Sequence, residues 1–541
     1  MNLVELHSRL IATNVKNDAD MTFTAINTLP QKRKDTVIVK TYVPGGKFAI
    51  IDEKGNDVDY TIIKSRDLTD YVLSQTIMLD PSRKFYVPDQ VLEVTMAIKA
   101  NDVPALGYVQ YSIDTQKDSH KETADKKVLE NKYYTIEVEE NGSLTIVDKA
   151  NNVTYKNQGI LVENGDDGDS FNYSPPRKDM EVFSNESKCT VKISGSDIYD
   201  QAEIHFDMVV PADLDERAEG KVSVTMLVDM TVALRKDSKV IDFNVKVDNK
   251  GLSHRLCVLF DSQIVSAFNY ADQQFGLIKR PNYYEKEMKL YMESMNNKTE
   301  KKAGIQELAN WANDQSTWQE PPISIEPTQS YVSLTDGKTG IAVIPQGVRE
   351  YEVLDDSKIR LTLFRTYGFM GKENLIYRPG RASGERIIET PAAQLLKEME
   401  FNFGFTSYAG DINDSDIDTL AKQYNTNLEV YTYAEFLNGR LIFSQREIEG
   451  QNAKIHSLFE TEGNLVVSAV KKAEEDDGYI IRLYNGKDHK DLDDKIKFNF
   501  DIKEAYYTNL KEEKTEEIKV ENNTISVKEL SHCKFVTIWV K

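Results

Sequence analysis

Apolar and polar residues alternate with a period of two along most of this chain, and the alternation predicts β-strands. Residues 37–43 place their apolar side chains on one side of the run, as in a strand with one buried face. A second alternating run ends at Asn141-Gly142, the dipeptide most typical of a two-residue hairpin, and a strand-like run follows it. Similar runs centre on Phe243 and Leu361. The pattern predicts a mainly β fold made of several antiparallel β-sandwiches.

Helical spacing of apolar residues is confined to a few short segments. Residues 1–16 carry an apolar stripe, and residues 284–313 and 415–424 hold further candidates. The pair Thr390-Pro391 indicates the N-terminus of a short helix. The first helix begins at the start of the sequence without a cap, and a lone helix of this length is marginal in water. We therefore expect that this helix docks onto something and that an upstream part is missing.

The length of 541 residues is too great for a single core. Polar breaks predict four parts: a helical stub at 1–20, a small β-sandwich at 21–127, a large β unit at 128–410 and a C-terminal β-sandwich at 411–541. No internal repeat is visible at the spacing of solenoids or propellers. The chain is thus expected to be a series of separate β units.

Charge and cysteine usage narrow the class of partner and the compartment. The net charge is −21, from 67 basic and 88 acidic residues, whereas nucleic-acid binders usually present a basic patch. An anionic membrane would repel this chain, and no apolar run is long enough to cross a bilayer. The three cysteines are scattered without metal-binding spacing, which is typical of a reducing cytoplasm. We expect a cytoplasmic protein with a neutral partner, and neither a nucleic acid nor a membrane.

A loop at residues 165–177 carries the densest candidate chemistry. It contains three aspartates, two aromatic rings, two glycines and a Pro-Pro pair between strand-like runs. Carboxylates accept hydrogen bonds from sugar hydroxyls, and aromatic rings cover the apolar C–H faces of a sugar. The same composition also makes an acidic, solvated turn. Composition alone leaves both interpretations open.

Complete catalytic motifs are absent from the sequence, including GxSxG, HExxH and GxxxxGK[ST]. His205 and Asp207 would share one face of a strand, but a catalytic zinc needs about three protein ligands, so we interpret them as a structural pair. A second loop at residues 377–386 holds three arginines among glycines. It could bind a phosphate, hydrogen-bond sugar hydroxyls, or form a solvated turn.

A series of motifs resembles the bacterial-type α-mannosidases of glycoside hydrolase family 38. Residues 23–33 are similar to the family's FNTLPxxR motif, and residues 169–176 to its DxYDYSPP loop. The other matching segments, in the family's order, are 254–256, 275–281, 336–347, 363–365, 378–381, 435–441 and 465–471. The resemblance covers essentially the whole chain, and the ordered series is more specific than any single motif.

The resemblance implies a mutarotase-like supersandwich at 128–410, preceded at 1–20 by the end of a helical bundle. Family members carry an α/β barrel and this bundle before the β region, and those parts bind zinc through two histidines and two aspartates. The His-x-Asp-x-x-Trp signature of that site is absent here. We therefore expect the C-terminal β-sandwich portion, without catalytic residues, metal ligands or a cofactor of its own. Zinc is expected in the missing catalytic domain.

For the intact enzyme the resemblance implies retaining hydrolysis of terminal α-mannosyl residues, with one carboxylate as nucleophile and a second as acid. This portion would support the barrel and complete the sugar pocket through Asp169, Phe171, Tyr173 and Arg381. The sequence has Phe171 where the family usually has tyrosine, and Asn172 where it commonly has aspartate. The missing phenol hydroxyl removes a hydrogen bond worth about 0.5–1.5 kcal/mol, so the substrate preference stays open.

Two other functions remain as alternatives. The first is a stand-alone carbohydrate-binding or scaffolding β-sandwich protein. The second is a sandwich-type lyase or epimerase, which would need tyrosine, histidine and arginine in one cleft, whereas the seven histidines are dispersed. The partners expected from the resemblance are an α-mannoside or oligosaccharide and the N-terminal catalytic half. An exposed apolar docking face would also favour association, which leaves a homo-oligomer open.

Overall fold

Antiparallel β-sheets make up most of the molecule, which confirms the predicted mainly β fold. The computed structural model describes residues 3–16, 19–75, 89–297, 320–378, 387–437, 452–488 and 490–541. Within these ranges, every helix lacks the length or the apolar character needed to span a bilayer. The helices are α1 (Leu3–Thr13), α2 (Thr69–Ser74), α3 (Leu214–Glu219), α4 (Glu285–Asn297) and α5 (Ile417–Asn425).

The first β-sandwich combines strands from two distant parts of the chain. Its early strands are β1 (Met21–Asn27), β2 (Arg33–Val43), β3 (Ala49–Ile51), β4 (Asp57–Val58), β5 (Tyr60–Asp67), β6 (Leu92–Val103) and β7 (Gly107–Asp114). Two later strands, β28 (Glu429–Ala434) and β29 (Ile455–Ser457), join them. One sheet has the order β28-β1-β7-β3-β4, with β29 also on β7, and it faces the sheet β2-β6-β5. β28 and β29 fall within the predicted C-terminal unit at 411–541, but their hydrogen bonds join the first sandwich.

The central unit contains three sheets. Its strands are β8 (Ala124–Asp125), β9 (Leu129–Glu130), β10 (Tyr134–Val138), β11 (Leu144–Asp148), β12 (Val153–Gln158), β13 (Ile160–Gly165), β14 (Val182–Phe183), β15 (Lys188–Gly195), β16 (Tyr199–Val210), β17 (Val224–Arg235), β18 (Ile241–Asp248), β19 (His254–Asp261), β20 (Phe268–Gln273), β21 (Gly276–Pro281), β22 (Glu326–Pro327), β23 (Val332–Thr335), β24 (Thr339–Gln346), β25 (Glu350–Leu354), β26 (Lys358–Arg365) and β27 (Glu398–Ala409). The ten-stranded sheet has the order β21-β20-β23-β24-β27-β18-β17-β16-β15-β8. The six-stranded sheet has the order β14-β13-β19-β26-β25-β22, and the four-stranded sheet the order β12-β11-β10-β9.

A cluster of phenylalanines fills the space between the ten-stranded and six-stranded sheets. Phe243 stacks on Phe403 at 5.1 Å between ring centroids and meets Phe260 edge-on at 5.4 Å. Phe260 in turn stacks on Phe405 at 5.3 Å. All four rings are buried, because the alternation along β18, β19 and β27 turns every second side chain toward the facing sheet.

The C-terminal sandwich is formed by the last eight strands. They are β30 (Phe459–Thr461), β31 (Val466–Lys472), β32 (Tyr479–Tyr484), β33 (Leu492–Phe498), β34 (Ala505–Thr508), β35 (Lys514–Glu517), β36 (Thr524–Leu530) and β37 (Phe535–Val540). They form the facing sheets β30-β33-β36 and β31-β32-β37-β34-β35, with an apolar core between them.

Most local predictions agree with these elements. A hairpin joins β10 to β11 at Asn141-Gly142, as predicted, but its loop spans residues 139–143 rather than two residues, and Gly142 has a φ of 80°. The predicted helices at 1–16 and 415–424 correspond to α1 and α5. The segment after Thr390 is a 3₁₀ helix, Pro391–Gln394, rather than an α-helix, and Thr390 makes no side-chain cap. Part of the predicted helix at 284–313 is α4, and its remainder lies outside the described residues.

Asp272 on β20 should give the fold a pH-dependent stability. Burial raises the pKa of this carboxyl from 3.8 to about 6, with Asp418 adding to the effect and a hydrogen bond from Ser330 (2.5 Å) opposing it. Because the folded pKa exceeds the unfolded one, the contribution of this group is complete below about pH 4 and is lost as the pH rises through 6. Asp272→Asn is therefore expected to be more stable than the parent at pH 8, by roughly 1–3 kcal/mol. Urea unfolding of both proteins from pH 4 to 8 measures this, and a difference independent of pH would contradict it.

Candidate functional site

Two loops meet at one edge of the six-stranded sheet. One follows β13 and includes the acidic segment from residue 165, and the other follows β26. Both β13 and β26 pair antiparallel with β19, which lies between them. They therefore run in the same direction, and their C-terminal ends lie on the same edge of the sheet. This alignment brings together two loops that are about 200 residues apart in sequence.

Asp166 anchors the first loop to the end of β26. Its carboxylate is buried and accepts two hydrogen bonds from Arg365, at 2.6 Å to Oδ2 and 3.1 Å to Oδ1. The Arg365 guanidinium also donates to the carbonyl oxygens of Asp169 and Asn172, each at 2.9 Å. Burial raises the pKa of Asp166, although the hydrogen bond from Arg365 and the N–H of Gly168 oppose the rise. One arginine thus fixes both a carboxylate and the backbone of the turn.

Asp169 makes the second ionic contact between the loops. Its side chain is fully buried and forms an ion pair with Arg378 of the second loop. The carboxylate also accepts hydrogen bonds from the backbone N–H groups of Lys372 (2.9 Å), Phe171 (3.0 Å) and Asn172 (3.1 Å). Burial alone would raise the pKa of Asp169, but Arg378 and these N–H groups outweigh it and hold the pKa below its ordinary value. The ion pair and the hydrogen bonds of the Asp169 carboxylate thus hold the two loops together.

Gly168 allows the turn to close this tightly. A Cβ atom at this position would lie 2.0 Å from the carbonyl oxygen of Asn172 and 2.8 Å from the Asp166 carboxylate. Any larger residue would push the backbone away from the Asn172 carbonyl and the Asp166 carboxylate. The glycine in the motif therefore has a steric role in shaping the loop.

Tyr173 is a second buried support of the loop. The Arg255 guanidinium lies over its ring, 3.9 Å from the centroid, and Tyr377 of the second loop meets the ring edge-on at 6.0 Å. Its hydroxyl accepts a hydrogen bond from Asn164 Nδ2 at 3.1 Å. Burial raises the pKa of this phenol above its ordinary value. Tyr173 therefore joins the loop to β13 and β19 as a neutral side chain.

Phe171, in contrast, points away from the protein. Its side chain is 60% exposed, at the tip of the loop. The neighbouring Met370 and Ile388 are each 48% exposed, and backbone contacts bring them together: Ser170 Oγ donates to Met370 O at 2.7 Å, and Met370 N donates to Ile388 O at 2.8 Å. We call these three exposed side chains the apolar rim: Phe171, Met370 and Ile388.

A buried ionic cluster lies beneath the start of the loop. Glu163 on β13 is fully buried, forms an ion pair with Arg217 and meets His254 Nδ1 at 3.0 Å. A Cβ on Gly165 would lie 2.7 Å from the Arg217 side chain. The cluster thus fixes the point at which the loop leaves the sheet.

Side chains of the types that bind zinc are scattered in the part of the chain that the structure describes. In it, no group of three or more His, Cys, Asp or Glu side chains is arranged to hold a metal ion. His205 and Asp207 share a face of β16, as their spacing predicts, but the imidazole contacts Asp229 at 2.6 Å and Asp207 at 3.2 Å. The hydrogen bond with Asp229 is the main cause of the raised pKa of His205. These side chains form an ion-pair row on a strand surface rather than a ligand set.

The predicted site residues fall into two groups. Asp169, Phe171 and Tyr173 share one loop, where the first and last are buried and Phe171 alone is exposed. Arg381 lies outside the described residues, so its part in the site stays a prediction. Arg365 and Arg378, the partners of the loop carboxylates, are not indicated as such by the sequence alone. The sequence feature that could have indicated such ion pairs is the excess of aspartates in the loop at 165–177 and of arginines in the loop at 377–386.

Comparisons with known proteins agree with the motif resemblance. The family model for the glycosyl hydrolases family 38 C-terminal domain matches residues 129–369, and that for the family 38 C-terminal beta sandwich domain matches residues 464–537. A putative mannosylglycerate hydrolase of Halalkalibacterium halodurans is 24% identical over 420 residues, which are 74% of this chain and 40% of that protein.

Two solved structures share the fold. A protein in the glycosyl hydrolase family 38 from Enterococcus faecalis superposes with a TM-score of 0.72 at 19% identity, covering 98% of this chain and 59% of that one. An α-mannosidase from Enterococcus faecalis V583 gives a TM-score of 0.73 at 19% identity, covering 98% and 57%. The chain thus spans less than two thirds of each of these relatives. Because the two family models together cover more than half of its residues, the chain belongs to glycosyl hydrolase family 38, as a C-terminal portion.

Proposed function

We propose that this chain is the C-terminal β portion of a family 38 α-mannosidase, where it supports the catalytic barrel and completes the sugar pocket. The observation that carries the proposal is the match of two family 38 C-terminal models in succession along the chain. The fold shared over 57% of a bacterial α-mannosidase supports it. The N-terminal portion would supply the remaining length, the zinc and both catalytic carboxylates, so none of the residues named here carries a chemical step.

In this proposal the loop edge of the six-stranded sheet faces the catalytic barrel. The apolar rim offers three large exposed side chains there, as is typical of a surface that a partner covers. Phe171 would lie against the C–H face of a mannose ring, and Arg381 would hydrogen-bond its hydroxyls. Asp169 and Tyr173 would contribute indirectly, because their buried contacts hold Phe171 in place.

A pocket for retaining hydrolysis must accommodate two successive chemical steps. A carboxylate attacks the anomeric carbon, a second carboxylic acid protonates the leaving oxygen, and water then releases the sugar from the enzyme. The wall formed by this chain would orient the ring and exclude bulk water. Since Phe171 has no hydroxyl, this wall would act through apolar contact at that position.

The name of one relative suggests a more specific substrate. The protein of Halalkalibacterium halodurans is named a putative mannosylglycerate hydrolase, and a mannosyl group joined to glycerate is a small mannoside. We therefore propose two substrate classes, α-mannosyl oligosaccharides and small α-mannosides of this kind. A stand-alone carbohydrate-binding or scaffolding protein is the alternative function.

The purified chain is expected to be inactive on 4-nitrophenyl α-D-mannopyranoside and on mannosylglycerate. Co-expression with the polypeptide encoded directly upstream should give a complex that hydrolyses one or both, and that loses activity on treatment with a zinc chelator. Absorbance at the nitrophenolate maximum and release of mannose measure this. Zinc-dependent turnover by the chain alone would contradict the proposal, as would an upstream frame that encodes no His-x-Asp-x-x-Trp barrel.

A further inference from the structure

A cavity lies between the first sandwich and the outer face of the ten-stranded sheet. It has a volume of about 520 Å³, within the range of small-molecule sites. One wall is formed by β2 and β28, the opposite wall by β16, β17, β18, β24 and β27, and the third by the end of α5. We call it the amide cavity, because five side-chain amides line it: Asn244, Gln346, Asn402, Gln423 and Asn427. It shares no residue with the loop site.

Three of these amides form a row across the sheet. Asn244 on β18 is the cross-strand neighbour of Asn402 on β27, which is also the neighbour of Gln346 on β24. Asn244 Nδ2 donates to Asn402 Oδ1 at 2.8 Å. Within the described residues, the NH₂ group of Asn402 and the whole amide of Gln346 then have no hydrogen-bond partner. They present donors and an acceptor to the cavity.

The remaining walls add similar chemistry. The side-chain amides of Gln423 and Asn427 lack partners in the described ranges, and so do the hydroxyls of Tyr199 and Tyr424. The two phenol rings supply flat apolar surfaces beside these polar groups. The Tyr424 ring can lie close to the sheet because Gly404 has no side chain: a Cβ there would be 3.1 Å from the ring.

The charges at the floor of the cavity are paired with one another. Arg235 donates to both oxygens of Asp242, at 2.9 and 3.1 Å, and to Asp35 at 2.5 Å. Asp35 accepts a further bond from Arg33 at 2.9 Å. Two arginines and two aspartates thus form a closed network, and among the described residues of the lining the other charged side chain is the exposed Glu429. These described residues therefore offer no spare cation to an anionic ligand.

We propose that the amide cavity binds a neutral, polyhydroxylated ligand of about disaccharide size. Sugar hydroxyls both donate and accept, which matches unpartnered amides and phenols, and the two tyrosine rings match the C–H faces of a pyranose. The inference does not depend on the proposed function, because it uses none of the loop residues. The full chain can be tested by itself.

The experiment titrates the 541-residue chain with α-1,2-mannobiose and sucrose by calorimetry, with mannose 6-phosphate as the anionic probe. At least one neutral disaccharide should bind, and the phosphate should bind more weakly. Gln346→Met keeps the side-chain shape and should lower the affinity about three- to tenfold, as one lost hydrogen bond predicts. The double variant Gln346→Met with Tyr199→Phe should bind the disaccharide with still lower affinity. Gln116→Met, on an exposed turn, is the matched control and should leave the affinity unchanged.

Two further measurements test whether the loss of affinity in Gln346→Met is specific to binding in the amide cavity. Thermal unfolding of Gln346→Met should equal that of the parent, because this amide has no partner to lose among the described residues. Leu510→Ala, at an exposed residue outside both the loop and the cavity lining, should leave disaccharide binding unchanged. Absence of binding by both neutral disaccharides, parent-like affinity in the double variant, or tighter binding of mannose 6-phosphate would overturn the proposal.

Discussion

Replacing Arg378 by methionine is expected to cost about 3–5 kcal/mol of folding free energy. The substitution keeps a long side-chain stem but leaves Asp169 buried without its cation. Three backbone N–H groups still reach the carboxylate, but they cannot replace a full charge. Urea unfolding measures the loss, and hydrogen exchange at Phe171 and Asn172 reports opening of the loop.

Arg66→Met is the matched control for this variant. Arg66 forms an ion pair with Glu93 at 3.2 Å, but its side chain is 60% exposed, so its loss should cost less than about 1 kcal/mol. Acid should reduce the difference between Arg378→Met and the parent. The pKa of Asp169 is depressed in the fold, so its stabilising contribution is complete at neutral pH and is lost as the pH falls through the lowered value. Equal losses in the two arginine variants would contradict the structural role of Arg378.

Phe243→Ala is expected to destabilise the central unit by about 3–5 kcal/mol. The ring contacts Phe260 and Phe403 at centroid distances of 5.4 and 5.1 Å between two rigid sheets. The sheets cannot collapse into the space that the ring leaves, so the cost includes a cavity as well as the lost burial. Chemical denaturation followed by circular dichroism measures the change.

Phe171→Ala removes the same side chain at the tip of the exposed loop. Because this ring is 60% exposed, the folding free energy should change by less than about 0.5 kcal/mol. The pair of variants therefore separates a ring that stabilises the fold from a ring that is free to contact a partner or a ligand. Comparable destabilisation in both would contradict the distinction.

The fold could be predicted from sequence where its signals are local. Alternation along β2 and β18 identified strands whose apolar side chains are buried, and Asn141-Gly142 identified a hairpin. The pairing of β28 with β1 could not be predicted in this way, because it joins segments about 400 residues apart. Local patterns report which face of a strand is buried but not which strand lies beside it.

The same limit applies to the candidate site. The loop at 165–177 was identified from its composition, and the arginine-rich loop was identified separately as a phosphate site, a sugar contact or a solvated turn. Their contact through Asp169 and Arg378 depends on the parallel direction of β13 and β26, which is set by β19 between them. The burial of Asp169 and the exposure of Phe171 follow from that contact.

The steady-state kcat/KM of the co-expressed complex on 4-nitrophenyl α-D-mannopyranoside tests most directly whether this chain completes the pocket of an α-mannosidase. Hydrolysis is expected only when both polypeptides are present. Phe171→Ala is expected to lower kcat/KM about three- to tenfold while leaving assembly and stability unchanged. Hydrolysis by the upstream polypeptide alone at the rate of the complex, or a parent-like kcat/KM for Phe171→Ala, would contradict it.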